Sequence, residues 1–310
     1  MPTAVESVAA QDAPSLAKII SHVVDLWPEH EKFLTGSLAG LDSRALRGTE
    51  EIAGLVWKLV EPEMADVVAS YRWVCRRLLD EELYFRRHGC YRYASVREVE
   101  ESGFYDSEDI HHYHRGLLLS QVLWRNHADV SQVYVRDFLS RCAAGSRLLE
   151  VGPGHGLFLA LAARHATQAL TGWDISPGSL HYTRRNLAEM GVHGVDLALH
   201  NIQDGVLGND GFDRVVASEL LEHVDDPGEV LRSLTGVMRP GAEIFINVPV
   251  NSPAPDHIRL WNTPDDFFGF VSSNGIIPTK TYAFPMSGYS EQRALDARVT
   301  ISCVVIGEVK

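Results

Sequence analysis

The chain has 310 residues, of which 45% are hydrophobic and 22% charged, and its formal net charge is −13. This composition excludes collagen-like, low-complexity and wholly disordered chains, and it suffices for one large domain or two of ordinary size. Because an acidic chain without a basic run repels phosphate groups, we expect no nucleic-acid partner and no polybasic membrane contact.

The cysteines and the apolar runs of the sequence indicate the cellular location of the protein. The four cysteines form no CxxC pair and no dense cluster, which favours a reduced, cytoplasmic protein. The start, MPTAVESVAAQDAPS, lacks the charged and apolar regions of a secretory signal. The most apolar run, at 116–119, is followed at once by Ser120 and Gln121, so we predict no transmembrane helix.

The first half of the chain has helical periodicity. From residue 15 to about 142, apolar residues recur at spacings of three and four, beginning with Leu16 and Ile19. The pattern predicts an all-helical module of five or six helices. Its longest helical stretch runs from 107 to about 139, with a break expected near His127.

The second half alternates short β-like runs with helical runs. Strands are predicted at Arg147–Val151, Ala169–Trp173, Val195–Leu199, Asp213–Ala217, Glu243–Val248, Ile276–Tyr282 and Val299–Val305, with a loop between the last two. Helices are predicted at Leu157–His165, at Pro177–Met190, at Pro227–Met238 and after Thr263. Strand and helix in this alternation are typical of βαβ units and a parallel sheet. We therefore predict a helical lid domain over 1–142 and an α/β domain over 143–310.

A glycine-rich loop follows the first predicted strand. Glu150 stands near the strand end, and Gly152, Gly154 and Gly156 occupy alternate positions before a helix. Glycines allow a tight turn and close approach to a ligand, and the helix start offers free N–H groups. A dinucleotide fingerprint G-x-G-x-x-G would need glycine at 157, where leucine stands. Glu150 would repel a pyrophosphate and suits a ligand with an ammonium group.

The next three predicted strands also end in polar residues. Asp174 ends the second strand, where a carboxylate can accept hydrogen bonds from both hydroxyls of a ribose. Asn201 and Asp204 follow the third strand, where an amide or an acid could meet an adenine edge. Ser218 and Glu219 follow the fourth strand, at the rim of the same site.

Together, these segments resemble the class I S-adenosylmethionine-dependent methyltransferases from residue 147 to about 249. The segment 150–156 is similar to the family's first motif, and Asp174 to its ribose-binding acid. The segments 221–224 (LEHV) and 239–242 (RPGA) are similar to later motifs. The resemblance implies a Rossmann-like, seven-stranded, mostly parallel sheet flanked by helices, with its last strand antiparallel. It also implies S-adenosylmethionine as the cofactor.

The resemblance also implies which residues bind the cofactor. They are Glu150, Gly152, Pro153, Gly154, His155, Gly156, Asp174, Ile175, Asn201, Ile202, Ser218 and Glu219. His155 stands where the family has small or polar residues, which gives the methionine end of the cofactor an unusual neighbour. Asn201 stands where the family more often has aspartate, and Asp204 is the alternative adenine contact.

Candidates for catalysis lie outside the glycine loop. His223 follows the fourth strand, and His257 follows the fifth, near where substrates enter an open α/β sheet. Tyr113 and His127 lie in the helical pattern before the first strand and are the other two catalytic candidates. Because a sulfonium cofactor already activates its methyl group, alignment and a general base suffice, and we expect no metal site.

Substrate contacts are expected from the same helical pattern. Trp124, Asn126 and Tyr134 are the candidates, because polar and aromatic residues there interrupt an apolar face. Ordinary packing between helices is the alternative explanation for all of these lid residues.

The leading hypothesis is methyl transfer to a small, secondary-metabolite-like acceptor, with a homodimer left open. Neither an Asn-Pro-Pro-Tyr signature nor a Pro-Cys pair follows the fourth strand, which argues against methylation of nucleic-acid bases. The first alternative uses the cofactor's aminocarboxypropyl arm, by cyclisation to a four-membered ring or by transfer, with release of methylthioadenosine. The others are a non-catalytic protein that kept the cofactor fold and a nicotinamide dehydrogenase.

Overall fold

Seven strands form one sheet in a computed structural model that describes residues 12–105, 107–165, 169–205 and 211–309. They are β1 (Arg147–Val151), β2 (Ala169–Asp174), β3 (Asp196–Leu199), β4 (Phe212–Ser218), β5 (Met238–Val250), β6 (Ile276–Pro285) and β7 (Ile301–Val309). Their order is β3-β2-β1-β4-β5-β7-β6, and β7 is antiparallel to both of its neighbours. The predicted Rossmann-like sheet with an antiparallel last strand is confirmed.

Seven α-helices precede the sheet in the described residues, where the sequence predicted five or six. They are α1 (Pro14–Leu26), α2 (Glu31–Leu38), α3 (Ser43–Val60), α4 (Met64–His88), α5 (Val96–Glu101), α6 (Asp109–Leu123) and α7 (Arg125–Val133). Within the sheet region lie α8 (Leu157–His165), α9 (Pro177–Met190), α10 (Pro227–Gly236), α11 (Pro264–Ser273) and α12 (Glu291–Ala297). None of the helices in these ranges combines the length and apolar character needed to cross a membrane.

Local capping explains several helix boundaries. The Ser176 side chain accepts a hydrogen bond from the main chain at the start of α9, and Gly191 ends this helix with φ of 80°. Thr263 begins α11 with a capping box, in which side chains and main chain of Thr263 and Asp266 bond reciprocally. Because such caps satisfy the free N–H groups of the first turn, these boundaries were readable from the sequence.

Two details differ from the prediction. The break in the long helical stretch falls at Trp124, whose extended backbone (φ −100°, ψ 121°) separates α6 from α7, three residues before the expected position. The predicted loop before β7 contains the short helix α12, which Ser290 caps by accepting a hydrogen bond from the main-chain N–H of Arg293.

The N-terminal helices cover one face of the sheet. Apolar residues of α1 to α4, α6 and α7 share a hydrophobic cluster with Leu148, Val216 and Phe245 of the sheet. Residues one position away, such as Leu149 and Val215, belong to a second cluster on the opposite face. Since successive side chains of a strand point to opposite faces, the N-terminal helices form, together with residues of α8 and α9, one of the two layers that enclose the sheet. The domain boundary at 142 stays a prediction.

Candidate active site

A cavity of about 240 Å³ lies where the carboxyl ends of β1 and β4 meet α6 and α7. Its lining includes residues of α6 and α7, the glycine loop after β1, the start of α9, the end of β4 and the segment after β5. Among the described residues, no lysine or arginine lines it. The enclosed space is therefore small and acidic.

The alternation of side chains along the strands places polar groups in this cavity. On the face covered by the N-terminal helices, Glu150 follows the buried Leu148 by two positions on β1. On β5, Asn247 follows Phe245 in the same way, and Asn247 pairs with Ser218 of β4 in the sheet. Because residues two apart share a face, apolar side chains fill the layer and polar ones collect at the strand ends.

The glycine loop has the backbone that its sequence predicts. Gly152, Gly154 and Gly156 all have positive φ, from 49° to 77°. The Gly152 N–H donates to the carbonyl of Trp173 over 2.8 Å, and the Thr183 hydroxyl donates to the carbonyl of Gly154 over 2.7 Å. These bonds hold the loop against β2 and α9, with Gly152, Pro153, Gly154 and His155 lining the cavity and Gly156 packed against α9.

Glu150 is a buried acid with an unused oxygen. Only 2% of the residue is exposed, and its Oε2 has no hydrogen-bond partner among the described residues. Burial raises its pKa well above the ordinary value. An unpartnered carboxylate in such a place is stabilised by a cationic ligand, so the site fits the ammonium group of an amino-acid moiety.

Asp174 is held in position at the end of β2. Its Oδ1 accepts a hydrogen bond from the Ser176 N–H over 2.8 Å, and its Oδ2 accepts one from the Ser179 hydroxyl over 2.6 Å. A carboxylate has about four acceptor positions, so it keeps the capacity for a diol. Ile175 beside it is 73% exposed, an apolar surface next to the carboxylate.

The third strand end carries the predicted adenine contacts. Asn201 uses its side-chain oxygen to accept a hydrogen bond from the Gln203 N–H over 3.1 Å, and Ile202 is buried against the cluster that contains Trp173. Both residues, like Asp174 and Ile175, lie outside the cavity lining, at the neighbouring strand ends. Their roles in cofactor binding stay predictions.

Two lining imidazoles near the glycine loop and α7 are neutral. The Nδ1 atom of His155 accepts a hydrogen bond from the Leu157 N–H over 3.2 Å, so its Nε2 carries the proton. His127 stacks edge-on against Trp124, with ring centres 5.0 Å apart. Burial lowers the pKa of both histidines to about 4, so neither adds positive charge to the cavity at neutral pH.

Glu219, which also lines the cavity, has a strained backbone. Its φ of 51° lies in the left-handed region, which costs a non-glycine residue about 1–2 kcal/mol. Asn247 holds it with two hydrogen bonds, from Nδ2 to Glu219 Oε1 over 2.6 Å and from the Glu219 N–H to the Asn247 carbonyl over 2.8 Å. Burial raises the pKa of Glu219 to about 7. Such strain at a cavity wall is typical of functional positions.

His257 presents one free ring nitrogen. The residue is 6% exposed, and its Nδ1–H donates to the carbonyl of Ser252 over 2.6 Å. This bond leaves the lone pair on Nε2 unused. Burial lowers the pKa of the ring to about 4, so His257 is neutral at pH 7. The predicted catalytic His257 therefore has the tautomer of a proton acceptor.

His223 lies directly against His257. The two rings meet edge to face at 4.8 Å, and the His223 Nδ1 lies 3.1 Å from the main-chain carbonyl of Asp256. Glu222 is fully buried beside them, and neither of its carboxylate oxygens has a hydrogen-bond partner in the described part of the chain. One donor atom from each of Glu222, His223 and His257 lies within 4.8 Å of the others, so these three side chains could hold a metal ion.

Most of the residues predicted to act in catalysis or to contact the substrate line the cavity, but two of them do not. Tyr113, His127, His223, His257 and Trp124 line it.

Asn126 and Tyr134 lie outside the cavity. Asn126 is buried and donates from Nδ2 to the Ser302 hydroxyl over 2.9 Å, which joins α7 to β7. Tyr134 is fully buried, with its ring 4.5 Å from that of Phe158. The structure gives both a packing environment, so neither enters the proposal below.

Three contributing residues were not among the predicted site residues. Asn247 had a sequence signal, since it is the one polar residue in the buried run 244–248. Glu222 and Asp256 had none that separates them from solvated acids. Both acids reach the site because the segment after β5 returns to the end of β4. There the Glu222 carbonyl accepts hydrogen bonds from the N–H groups of Ile258 and Arg259 over 2.9 and 3.0 Å.

Comparison with known proteins agrees with the predicted family. Residues 125–274, 150 of the 310, match the sequence profile of a family described as a methyltransferase domain. This match confirms the predicted resemblance to class I S-adenosylmethionine-dependent methyltransferases and supports S-adenosylmethionine as the cofactor.

Among curated relatives, the ubiquinone biosynthesis O-methyltransferase of Xanthomonas euvesicatoria pv. vesicatoria (strain 85-10) is 35% identical over 112 residues, which are 36% of this chain and 46% of that protein. The chain therefore spans less than half the length of that relative. Among solved structures, a SAM-dependent methyltransferase from Aquifex aeolicus overlaps with a TM-score of 0.46 at 15% identity, covering 59% of this chain and 90% of that one. The N-methyltransferase NodS from Bradyrhizobium japonicum, in complex with S-adenosyl-L-homocysteine, gives 0.45 at 14% identity, covering 59% and 85%.

Proposed function

We propose that this chain, which contains a methyltransferase domain over 125–274, transfers a methyl group from S-adenosylmethionine to a small-molecule acceptor. The observation that carries the proposal is a single cavity lined by two chemically different groups of residues. One group is the glycine loop with the unpartnered acid Glu150, and the other is Glu219 with His257. A cofactor and an acceptor can therefore meet in one cavity.

The chain's own residues fit the cofactor. The carboxylate of Glu150 would hold the ammonium group of the methionine moiety, and Asp174 would accept both ribose hydroxyls. Ile175 offers an exposed apolar side chain beside that carboxylate for the adenine ring. When bound, the cofactor supplies an electrophilic methyl group on a sulfonium. The protein then has to align the acceptor and exclude water, and alignment alone can contribute about 7–11 kcal/mol.

His257 is the proposed general base. Its Nδ1–H is fixed on the Ser252 carbonyl, so the Nε2 lone pair can accept a proton from an acceptor hydroxyl. The acceptor loses that proton to Nε2 as its oxygen gains the methyl group. The curated relatives are named as O-methyltransferases, which supports an oxygen acceptor.

The cavity limits the class of acceptor. A volume of about 240 Å³ suits a compact molecule and not a nucleic-acid duplex. Because no lysine or arginine of the described residues lines it, we infer an acceptor without a phosphate or carboxylate at the reacting end. The four cysteines are unpaired, which supports the proposed cytoplasmic location.

The test is to identify both product halves. The full chain is incubated with methyl-labelled S-adenosylmethionine and a panel of small phenols, and the products are analysed by mass spectrometry. We expect S-adenosylhomocysteine and a labelled methyl ether, with a large drop in turnover for His257→Asn and unchanged turnover for the surface variant His181→Asn. Release of methylthioadenosine in place of S-adenosylhomocysteine would contradict methyl transfer and support use of the aminocarboxypropyl arm.

A further inference from the structure

Two histidine rings that line the cavity are oriented by the same kind of hydrogen bond. The Nδ1–H of His257 donates to the carbonyl of Ser252 over 2.6 Å, and the Nδ1–H of His223 donates to the carbonyl of Asp256 over 3.1 Å. Each bond fixes the ring orientation and leaves the lone pair on Nε2. Imidazoles that bind metal ions are oriented in this way by main-chain carbonyls or carboxylates.

The third group is the carboxylate of Glu222. It is completely buried, yet neither oxygen has a hydrogen-bond partner in the described residues. The nearest nitrogen of His223, Nε2, lies 3.9 Å from Oε1, too far for a direct hydrogen bond. Its closest acidic neighbour is the carboxyl of Glu219, which adds a second negative group and no compensating positive charge. A cation between these side chains would supply it.

We propose that Glu222, His223 and His257 form a binding site for one divalent transition-metal ion. The three donor atoms lie within 4.8 Å of one another, a spacing that a single ion with bonds of about 2.0–2.2 Å can span after small side-chain adjustments. Two imidazoles favour zinc, copper, iron or nickel over magnesium, calcium and manganese, which prefer oxygen ligands. From the sequence no metal site is expected, because a sulfonium cofactor needs none for methyl transfer. The 35 positions between Glu222 and His257 also hide this cluster from a search for ligand spacing.

The site has a consequence for the reaction, and this step rests on the proposed function. His223 and His257 line the cavity, and three protein ligands leave positions open for an acceptor oxygen. A metal-bound hydroxyl loses its proton more readily than a free one. With the ion bound, the Nε2 lone pair of His257 is a metal ligand and no longer the base, so the proton would leave to a nearby carboxylate, for which Glu219 and Asp256 are the candidates on the cavity wall. No change of oxidation state is involved.

The test measures metal binding without activity. The full chain is treated with a chelator, dialysed, and titrated with Zn²⁺ by calorimetry at pH 7. A second metal-free sample is titrated with Co²⁺ as a spectroscopic probe of nitrogen and oxygen ligands. We expect one ion per chain, and at least about 100-fold weaker binding in both Glu222→Gln and His257→Asn. The control is His165→Asn, because His165 forms a surface pair with Glu51 over 2.6 Å, away from the cavity.

Each result has one meaning. If the wild-type chain binds no stoichiometric Zn²⁺, or if Glu222→Gln and His257→Asn bind it as tightly as His165→Asn, the metal site is wrong. Binding of S-adenosylmethionine is measured on the same samples, and it depends on Glu150 and Asp174. Zn²⁺ binding without cofactor binding would overturn the proposed function alone, and cofactor binding without Zn²⁺ binding would overturn the metal site alone.

Discussion

Substitution of Gly116 by alanine tests how closely α6 packs on α4. A β-carbon built on Gly116 lies 2.6 Å from Cγ2 of Val74 and 2.7 Å from the carbonyl oxygen of Ser70. Non-bonded carbon atoms are comfortable at about 3.5–4.0 Å, so the two helices would have to separate by about 1 Å. The obstacle is main chain, which no change of rotamer can relieve.

The expected magnitude is the difference of two terms. Alanine favours a helix over glycine by about 1 kcal/mol. Overpacking against a rigid neighbour costs about 3 kcal/mol, the upper part of the usual range. We therefore expect Gly116→Ala to lower the free energy of unfolding by about 2 kcal/mol and the melting temperature by about 4 °C. Since Tyr113, Leu117 and Gln121 of α6 line the cavity, affinity for S-adenosylmethionine should fall as well.

The matched control is Gly36→Ala in α2. A β-carbon there meets nothing within 4 Å, so only the higher helix propensity of alanine acts. The free energy of unfolding should therefore rise by about 0.5–1 kcal/mol. Thermal and chemical denaturation of both variants beside the wild type give the comparison. A Gly116→Ala protein as stable as Gly36→Ala would refute the close approach of α4 and α6.

Other outcomes test the site itself. Asp174→Ala and Glu150→Gln should each weaken S-adenosylmethionine binding by about tenfold or more in calorimetry while the chain stays folded. The reason is that charge-assisted hydrogen bonds contribute about 1.5–3 kcal/mol. Unchanged affinity in both variants would show that the cofactor does not bind at these residues. Glu219 has a pKa of about 7 when folded and 4.5 as an isolated group, so the folded state keeps a proton that the unfolded state loses. Stability of the cofactor-free chain should therefore fall as the pH rises from 4.5 through 7, and Glu219→Gln should flatten this dependence in denaturation curves. The Tyr91 hydroxyl accepts a hydrogen bond from the Ser252 N–H over 2.9 Å, so Tyr91→Phe leaves this donor unpaired and should cost about 1–3 kcal/mol of stability. Because the Ser252 carbonyl orients His257, turnover should fall as well. A variant that matches the wild type in both stability and turnover would exclude this positioning role of Tyr91.

Local signals explain why the sheet could be predicted. Strand β1 and helices α8 and α9 have the predicted bounds, since apolar runs, glycines and caps act over a few residues. The acids Glu150 and Asp174 lie at strand ends for the same reason. Their position follows from the residue at which each apolar run ends, and the sequence shows that residue directly.

The side of a helix on which a residue lies is harder to predict. Asn126 and His127 are neighbours in α7, yet His127 lines the cavity while Asn126 bonds to Ser302 of β7. Neighbours on a helix differ by about 100° in direction, so an error of three residues in the helix break is enough to exchange such roles. Tyr134 begins a π-helical turn, which changes the direction again.

Contacts between distant segments were not predictable from spacing. His223 and His257 meet only because the chain after β5 returns to the end of β4. The sequence made both histidines catalytic candidates near the ends of strands, but the composition of the two segments does not predict that the rings touch.

The N-terminal helices supply part of the apolar cover that the sheet of this chain requires. Leu148, Val216 and Phe245 share their cluster with helices that precede residue 142 and with α8 and α9. A fragment beginning at β1 would keep α8 and α9 but would expose the apolar surface that the N-terminal helices cover, and it would be prone to aggregate. Any shortened form of this chain, whether made by truncation or by gene fission, therefore needs a replacement for that apolar cover.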